Sequence, residues 1–529
     1  MSIVIQKISY IHPDNVVLFN DISCVVNKGE KVALVGLNGS GKSTLLKMLS
    51  GSITPMSGSI QTASSPYYIP QHFGQYDQMT VAEALHIKDK LYALHAILEG
   101  DASIDNFTIL NDDWTIEERS LAALSSWKLE HIALEQPFAS LSGGEKTKVF
   151  LSGLQIHAPE IILMDEPTNH LDWHSREELY QWIEHTNATL MIVSHDITLL
   201  RLLPETMELE KDKITVYGGN YDFYKEQKEI QLNALQASLE EKEKELRLAK
   251  KIARESIERK QKHESRGKKL SEKKGISRMG MNTLKDKAEK SGTKLKDIHA
   301  NKMSSLSESV DKIRAIAPDS RKMKINFNSS GLHQGKILIK AEQINYAYTD
   351  TFLWRNAVDL IIHSGDRILI QGDNGSGKTT LLKILIGQLT PTTGRIERAD
   401  FNYIYIDQEY SLIQNELTVY EQAQQFNTRQ FQEHEIKMML NRYLFSFDTW
   451  DKPCSKLSGG EKMRLLFCCL MIGNQTPDIF ILDEPTNNLD IQSVEIITSV
   501  IKEYSGTLLL ISHDRYFIEE VGIIRNYEL

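Results

Sequence analysis

Cysteine is scarce: four in 529 residues, Cys24, Cys454, Cys468 and Cys469. Their spacing fits neither a zinc site nor an iron–sulfur cluster, which leaves buried free thiols in a reducing compartment. No apolar run approaches the roughly 18–20 residues needed to cross a bilayer, so no membrane domain is expected. The N-terminus, Met1-Ser2-Ile3-Val4-Ile5-Gln6-Lys7, lacks a signal-peptide pattern and reads directly as a strand. The expected location is cytoplasmic. Residues 225–324 lack Phe, Trp and Tyr altogether and hold one proline, Pro318. A basic excess is also missing overall, with a net charge of −10, but the average hides a partition. Residues 225–324 carry 28 Lys+Arg against 16 Asp+Glu, and the remainder 33 against 55. An acidic body with a basic middle suggests nucleic-acid contact.

What is present is a duplication. Gly36-Leu37-Asn38-Gly39-Ser40-Gly41-Lys42-Ser43-Thr44 recurs as Gly372-Asp373-Asn374-Gly375-Ser376-Gly377-Lys378-Thr379-Thr380. Leu141-Ser142-Gly143-Gly144-Glu145 recurs as Leu457-Ser458-Gly459-Gly460-Glu461. Asp165-Glu166-Pro167-Thr168-Asn169 recurs as Asp483-Glu484-Pro485-Thr486-Asn487, and Ser194-His195-Asp196 as Ser512-His513-Asp514. The same four motifs in the same order make two α/β units of about 200 residues each, consistent with the usual domain size.

Each glycine-rich loop follows a buried-strand run (Val32 to Val35 in the first copy) and opens a helical pattern, the context of a phosphate loop. Its glycines let backbone N–H groups close around phosphates at a helix N-terminus. Lys42 and Lys378 would reach the β and γ phosphates, and Ser43 and Thr379 would ligate Mg²⁺. The apolar runs Ile161 to Met164 and Ile479 to Leu482 lack alternation, as strands buried on both faces require. The acids that follow suit a hold on Mg²⁺ (Asp165, Asp483) and polarisation of the attacking water (Glu166, Glu484). His195 and His513, again at strand ends, are expected to hydrogen-bond the γ-phosphate or that water. Gln71 and Gln408 are further Mg²⁺ candidates. Adenine stacking falls to Tyr10 or His12 in the first half and Tyr346 or Tyr348 in the second, and sequence does not choose between them.

With the Leu-Ser-Gly-Gly-Glu segments, residues 1–224 and 336–529 resemble ATP-binding cassette ATPases. The resemblance implies ATP hydrolysis, with the signature of each cassette capping the ATP of the other. Ser458, Gly459 and Gly460 would close the site of Lys42, Glu166 and His195. Ser142, Gly143 and Gly144 would close that of Lys378, Glu484 and His513. One chain would then supply an intramolecular cassette pair and act as a monomer.

The middle segment shows apolar residues largely at three- and four-residue steps, Leu232 to Ala253 and Met303 to Ala317. Two helices of about 30–40 residues paired as an antiparallel hairpin fit this pattern. The expected tip carries Arg266, Lys268, Lys269, Lys273, Lys274 and Arg278, candidates for RNA contact. The expected fold is therefore two α/β P-loop nucleotide-binding domains, 1–224 and 325–529, joined by a basic helical hairpin over 225–324. Entered through Tyr217-Gly218-Gly219-Asn220-Tyr221, this arrangement narrows the resemblance to the ABC-F branch. That resemblance implies closure on the ribosome near the tRNA exit site, with the linker reaching toward the P-site tRNA and the peptidyl transferase centre. Some members are translation factors and others displace antibiotics. From Gln71 to Leu141 is 70 residues, against 49 from Gln408 to Leu457, room for a short helical addition in the first cassette. This compact form leans toward the resistance type. A fused importer ATPase would need no basic hairpin, and a DNA-maintenance ATPase would bring longer coiled coils or zinc cysteines.

Overall fold

The computed structural model describes the chain except Pro13, Val16, Ala102, 275–299, 314–331, Asp350, Asn474, Gln475 and Asn488, and describes backbone alone at 260, 261 and 263–274. Two compact units result, Met1–Phe223 with Met323–Leu529, and Tyr224–Lys322.

The first unit holds two cassettes of the same design. In the first, the strands Tyr67–Ile69, Ile161–Asp165, Thr189–Val193, Lys31–Val35 and Glu205–Leu209 lie side by side in parallel, and Ile214–Tyr217 closes the edge antiparallel. In the second the order is Tyr403–Ile406, Ile479–Asp483, Thr507–Ile511, Arg367–Gln371 and Arg525–Glu528. Every residue of Ile161–Asp165, Thr189–Val193, Ile479–Asp483 and Thr507–Ile511 is buried. Strands flanked by helices on both faces have no solvated side, hence their unbroken apolar runs. A three-stranded antiparallel sheet accompanies each, Val17–Val26, Ile3–Ile11 and Ser57–Thr62 in the first half and Val358–His363, Ile337–Asn345 and Thr393–Arg398 in the second. The phosphate-loop helices Lys42–Leu49 and Lys378–Leu385 pack Leu45, Leu46, Leu381 and Leu382 into the cores below those sheets. Both main sheets end their central strands on the same side, which is where the motif loops gather.

Between Gln71 and the first signature lie the helices Val81–Ala84, Lys88–Leu98, Ile104–Leu110 and Ile116–Ser126. The second cassette has Val419–Gln425 and Glu433–Arg442 at this place, so the extra length becomes short helices. All four cysteines are buried free thiols, and burial pushes Cys24 up to about 12 and Cys454 to about 11. No helix among the described residues is long and apolar enough to cross a membrane.

The helix Tyr221–Lys274, which supplies most of its length to the second unit, runs 54 residues, longer than the 30–40 expected. It carries straight through Gly267 and the backbone of Arg266, Lys268, Lys269, Lys273 and Lys274, which the spacing had assigned to a tip. One interior glycine costs a helix only about 1 kcal/mol. Pairs such as Arg254–Glu258 at 3.2 Å and Arg247–Glu243 at 3.7 Å support it along its length. At 1.5 Å per residue it spans roughly 80 Å. A second helical stretch occupies 300–313, and Ala253 and Val310, one on each stretch, are buried. Arg278 lies outside the described residues.

Candidate functional site

Gly36 takes φ 155° and Gly41 φ 95°, and a Cβ would meet the Leu209 carbonyl at 2.7 Å and the Phe19 ring at 2.9 Å respectively. Only glycine permits this close approach, which turns the loop sharply into the helix Lys42–Leu49. Lys42 is buried and donates to the Gly36 and Leu37 carbonyls at 2.8 and 3.2 Å. Lys378 repeats this with Gly372 and Asp373 at 2.7 and 2.9 Å. Burial lowers the pKa of both lysines, opposed by the carboxylates around them, Glu166 and Asp165 for Lys42 and Glu484 and Asp483 for Lys378.

Asp165 and Asp483 end their buried strands beside these loops. Thr379 Oγ1 donates to Asp483 Oδ2 at 2.8 Å, and in the first half Ser43 and Asp165 line one cavity. Glu166 and Glu484 follow at φ 53° and 51°, left-handed values unusual for glutamate. Their N–H groups donate to Val193 and Ile511, each at 2.8 Å, which pins the turn and aims both carboxylates inward. Burial pushes Glu166 up to about 8 and Glu484 to about 7. It drives His195 down to about 4 and His513 to about 3. His195 Nε2 lies 3.4 Å from Glu166 Oε1, and His513 Nε2 3.3 Å from Glu484 Oε1. Because burial disfavours charge on both partners, and neither contact has hydrogen-bond alignment, these are not salt bridges in strength. The firmer link is the His195 backbone N–H, which donates to Glu166 Oε2 at 3.0 Å.

A cavity of about 600 Å³ brings together Asn38, Gly39, Gly41, Lys42, Ser43, Thr44, Gln71, Asp165, Glu166 and His195. From the other half Thr486, Asn487, Leu489, Val494 and Asp514 complete the lining, rather than Ser458, Gly459 or Gly460. The signatures stand one layer back. Ser142 caps its own helix Gly143–His157, and Ser458 bonds Glu461 in the same manner. A Cβ on Gly144 would meet the His170 carbonyl at 2.8 Å, and that carbonyl accepts from Asn374 Nδ2 at 3.2 Å. A Cβ on Gly460 would lie 3.8 Å from Asp490 Oδ1, and Asp490 Oδ2 accepts from Asn38 Nδ2 at 3.3 Å. Each phosphate-loop asparagine therefore touches the other half at the residue that backs its signature. Gln408 is exposed.

The aromatic alternatives separate. His12 borders the cavity, whereas Tyr10 packs on Phe19 at 6.2 Å between ring centres. Tyr348 reaches the phosphate loop, its hydroxyl 2.8 Å from Thr380 Oγ1, while Tyr346 packs on the core. Two tyrosines escaped sequence reasoning. Tyr405 OH donates to Asp483 Oδ2 at 3.0 Å, and Tyr68 OH to Asp165 Oδ2 at 3.4 Å. The signal was there, since both tyrosines stand three residues before Gln71 and Gln408.

The donors suit magnesium nucleotide. Asp165 Oδ1, Glu166 Oε1, Glu484 Oε1, Ser40 Oγ and Ser376 Oγ are buried with no hydrogen-bond partner. Such atoms are costly unless something polar meets them. Hydroxyl, carboxylate and amide oxygens are the hard ligands Mg²⁺ prefers.

A family model described as ABC transporter matches residues 19–169 and 355–487. ABC transporter F family member 5 of Arabidopsis thaliana is 30% identical over 96% of this chain and 72% of its own length. The chain belongs to the ABC-F family. This ABC-F protein is thus an ATPase of the ATP-hydrolysing cassette class. Among its other relatives, the probable ATP-binding protein YbiT of Escherichia coli O157:H7 is 30% identical over 96% of this chain and 92% of its own. The ribosome protection protein VmlR of Bacillus subtilis is 29% identical over 98% and 85%. Among solved structures, the archaeal ribosome recycling factor aABCE1, in complex with stalk protein aP1, matches with a TM-score of 0.59 at 20% identity. That match covers 98% of this chain and 86% of the other, and shows a shared fold.

Proposed function

We propose that this ABC-F protein is a cytoplasmic, monomeric ribosome factor that grips the ribosome with ATP bound in both sites and leaves on hydrolysis. Three parts carry the cycle, cassettes at 1–224 and 325–529 and a basic linker at 225–324. The observation that carries the reading is the buried, paired ATP chemistry joined to a helix of 54 residues with a basic far end. Such a rod is long enough to reach deep into a ribonucleoprotein, and its charge suits phosphate backbones. The ribosome protection protein among its relatives supports the same partner.

In each site the phosphate-loop N–H groups and Lys42 or Lys378 bind the phosphates. Ser43, Asp165 and Gln71, with Thr379, Asp483 and Gln408, are the residues that would hold Mg²⁺, which neutralises phosphate charge when bound. Glu166 and Glu484 accept the proton of the attacking water, a task their raised affinity for protons favours. His195 and His513 orient that water or the γ-phosphate. Ser142 to Gly144 and Ser458 to Gly460 close the opposite sites, and His12 and Tyr348 stack on adenine. Arg266, Lys268, Lys269, Lys273, Lys274 and Arg278 contact ribosomal RNA and the P-site tRNA near the peptidyl transferase centre. The biological outcome is protection against antibiotics that act at that centre; the other reading is a translation factor of the same family.

The double variant Glu166→Gln, Glu484→Gln is expected to co-sediment with ribosomes in ATP, and finding it free in the gradient refutes ribosome association. Raised survival of a susceptible host under peptidyl-transferase inhibitors supports protection. No change for any of them favours the translation factor.

A further inference from the structure

The two halves are not equal where they meet. Helix Trp173–His185 is N-capped by Asp172, and Arg176 stands four residues into it. Helix Ile491–Glu503 is N-capped by Asp490, and the same place is Val494. One turn on, Tyr180 answers to Thr498. Arg176 is 8% exposed, and its Nη1 donates to the His513 carbonyl at 3.3 Å across the halves. Its Nε donates to Leu171 at 3.2 Å, and Nη1 lies 3.7 Å from Asp196 Oδ2, which also accepts from Tyr180. Asp514 of the second half lines the same cavity. One guanidinium thus sits among two buried carboxylates, Asp196 and Asp514, one from each histidine loop. Val494, which lines the same cavity from the second half, brings no charge to share between them.

We propose that Arg176 is a positioning residue that ties the histidine loop of the second ATP site to the first half, so that the two sites turn over unequally. The planar fork fixes the His513 backbone while balancing two acids that would otherwise repel. At the first site Val494 carries no donor for the His195 loop, which Arg176 reaches only from its own half, through the 3.7 Å contact with Asp196. Closure of the first half would therefore order the second site, without the reverse holding to the same degree.

This rests on reading Glu166 and Glu484 as the acids that face the attacking water, and the test separates the two claims. Single-turnover phosphate release is measured with protein in excess over ATP, in Glu166→Gln (second site intact) and Glu484→Gln (first site intact). Each parent is expected to release phosphate from its intact site; if either parent releases none, the site reading falls and takes this proposal with it. Adding Arg176→Met should slow release about tenfold in the Glu166→Gln background, the loss expected for a charge-assisted bond, and by much less in Glu484→Gln. Equal slowing in both, or no slowing in either, overturns the proposal, because a merely structural arginine would not choose a site. Arg176→Lys keeps the charge but not the fork, and should give the same site preference with a smaller loss. If Arg176→Met does not fold, Arg176→Lys decides the question by the same criterion.

Discussion

The hydroxyl of Tyr405 offers a clean perturbation. It donates to Asp483 Oδ2 at 3.0 Å, an oxygen that also accepts from Thr379 at 2.8 Å, and Asp483 is 3% exposed. Burial raises the Asp483 pKa, and the bonds from Thr379 and Tyr405 hold it down. Hydrogen bonds to charged groups contribute about 1.5–3 kcal/mol, so Tyr405→Phe should cost roughly tenfold to a hundredfold in whatever the carboxylate must bind. Tyr68→Phe removes a bond of 3.4 Å to Asp165, near the outer limit, and should cost a few-fold at most. The assay is single-turnover ATP hydrolysis against Mg²⁺ concentration, with Tyr405→Phe read in the Glu166→Gln background and Tyr68→Phe in Glu484→Gln. The half-saturating Mg²⁺ concentration should rise much more for Tyr405→Phe. The sign with pH follows from the same bond. The hydrogen bond favours the carboxylate, so losing it raises the pKa further and moves the acid limb of activity to higher pH. Equal Mg²⁺ shifts for the two tyrosines, or a fall in Tm with no Mg²⁺ effect, would refute the argument.

Other outcomes can be stated briefly. Asp172 is held at about 2; burial alone would raise it, but the Ser175 N–H at 2.9 Å and Lys148 at 3.1 Å outweigh that. A carboxylate depressed in the fold stabilises above its unfolded pKa, so Asp172→Asn should cost on the order of 2 kcal/mol at pH 7. That deficit should shrink as pH falls from about 4 toward 2, and thermal melts at both ends measure it. Gly153 sits where a Cβ would lie 1.9 Å from Tyr67 OH, which donates to the Phe150 carbonyl. Gly153→Ala should lower stability by about 1–3 kcal/mol, read as a drop in Tm. Gly41→Ala sets a Cβ against Phe19 at φ 95° and should abolish first-site nucleotide binding, read by fluorescent-nucleotide titration as a fall in stoichiometry from two to one.

The motifs, the strand runs and the duplication were legible because they are local: a glycine loop, a buried strand and an acid pair each announce themselves within ten residues. What stayed hidden depends on register or on distant partners. Tyr10 and His12 could not be ranked because pairing of Ile3–Ile11 with Val17–Val26 slips between Ile8 and Tyr10 and again before Ile11. Each slip changes which face a side chain takes. The helix Tyr221–Lys274 ran past its expected end because a single glycine is a weak stop without a proline or a cap. Arg176 was passed over because nothing near it in sequence marks it; its partner His513 is 337 residues away.

That distance has a consequence in time. Lys42, Ser43 and Glu166 leave the synthesis machinery first, and Thr486, Asn487, Asp490 and Asp514, which complete their surroundings, follow only after the whole intervening chain. At about 5–20 residues per second, the interval from Lys42 to Asp490 is roughly 20–90 s. Through that interval the nascent protein carries a phosphate loop without its opposing wall. Fragments that stop short of Thr486 hold only half a site, so synthesis of the second cassette is itself the event that completes the first ATP site.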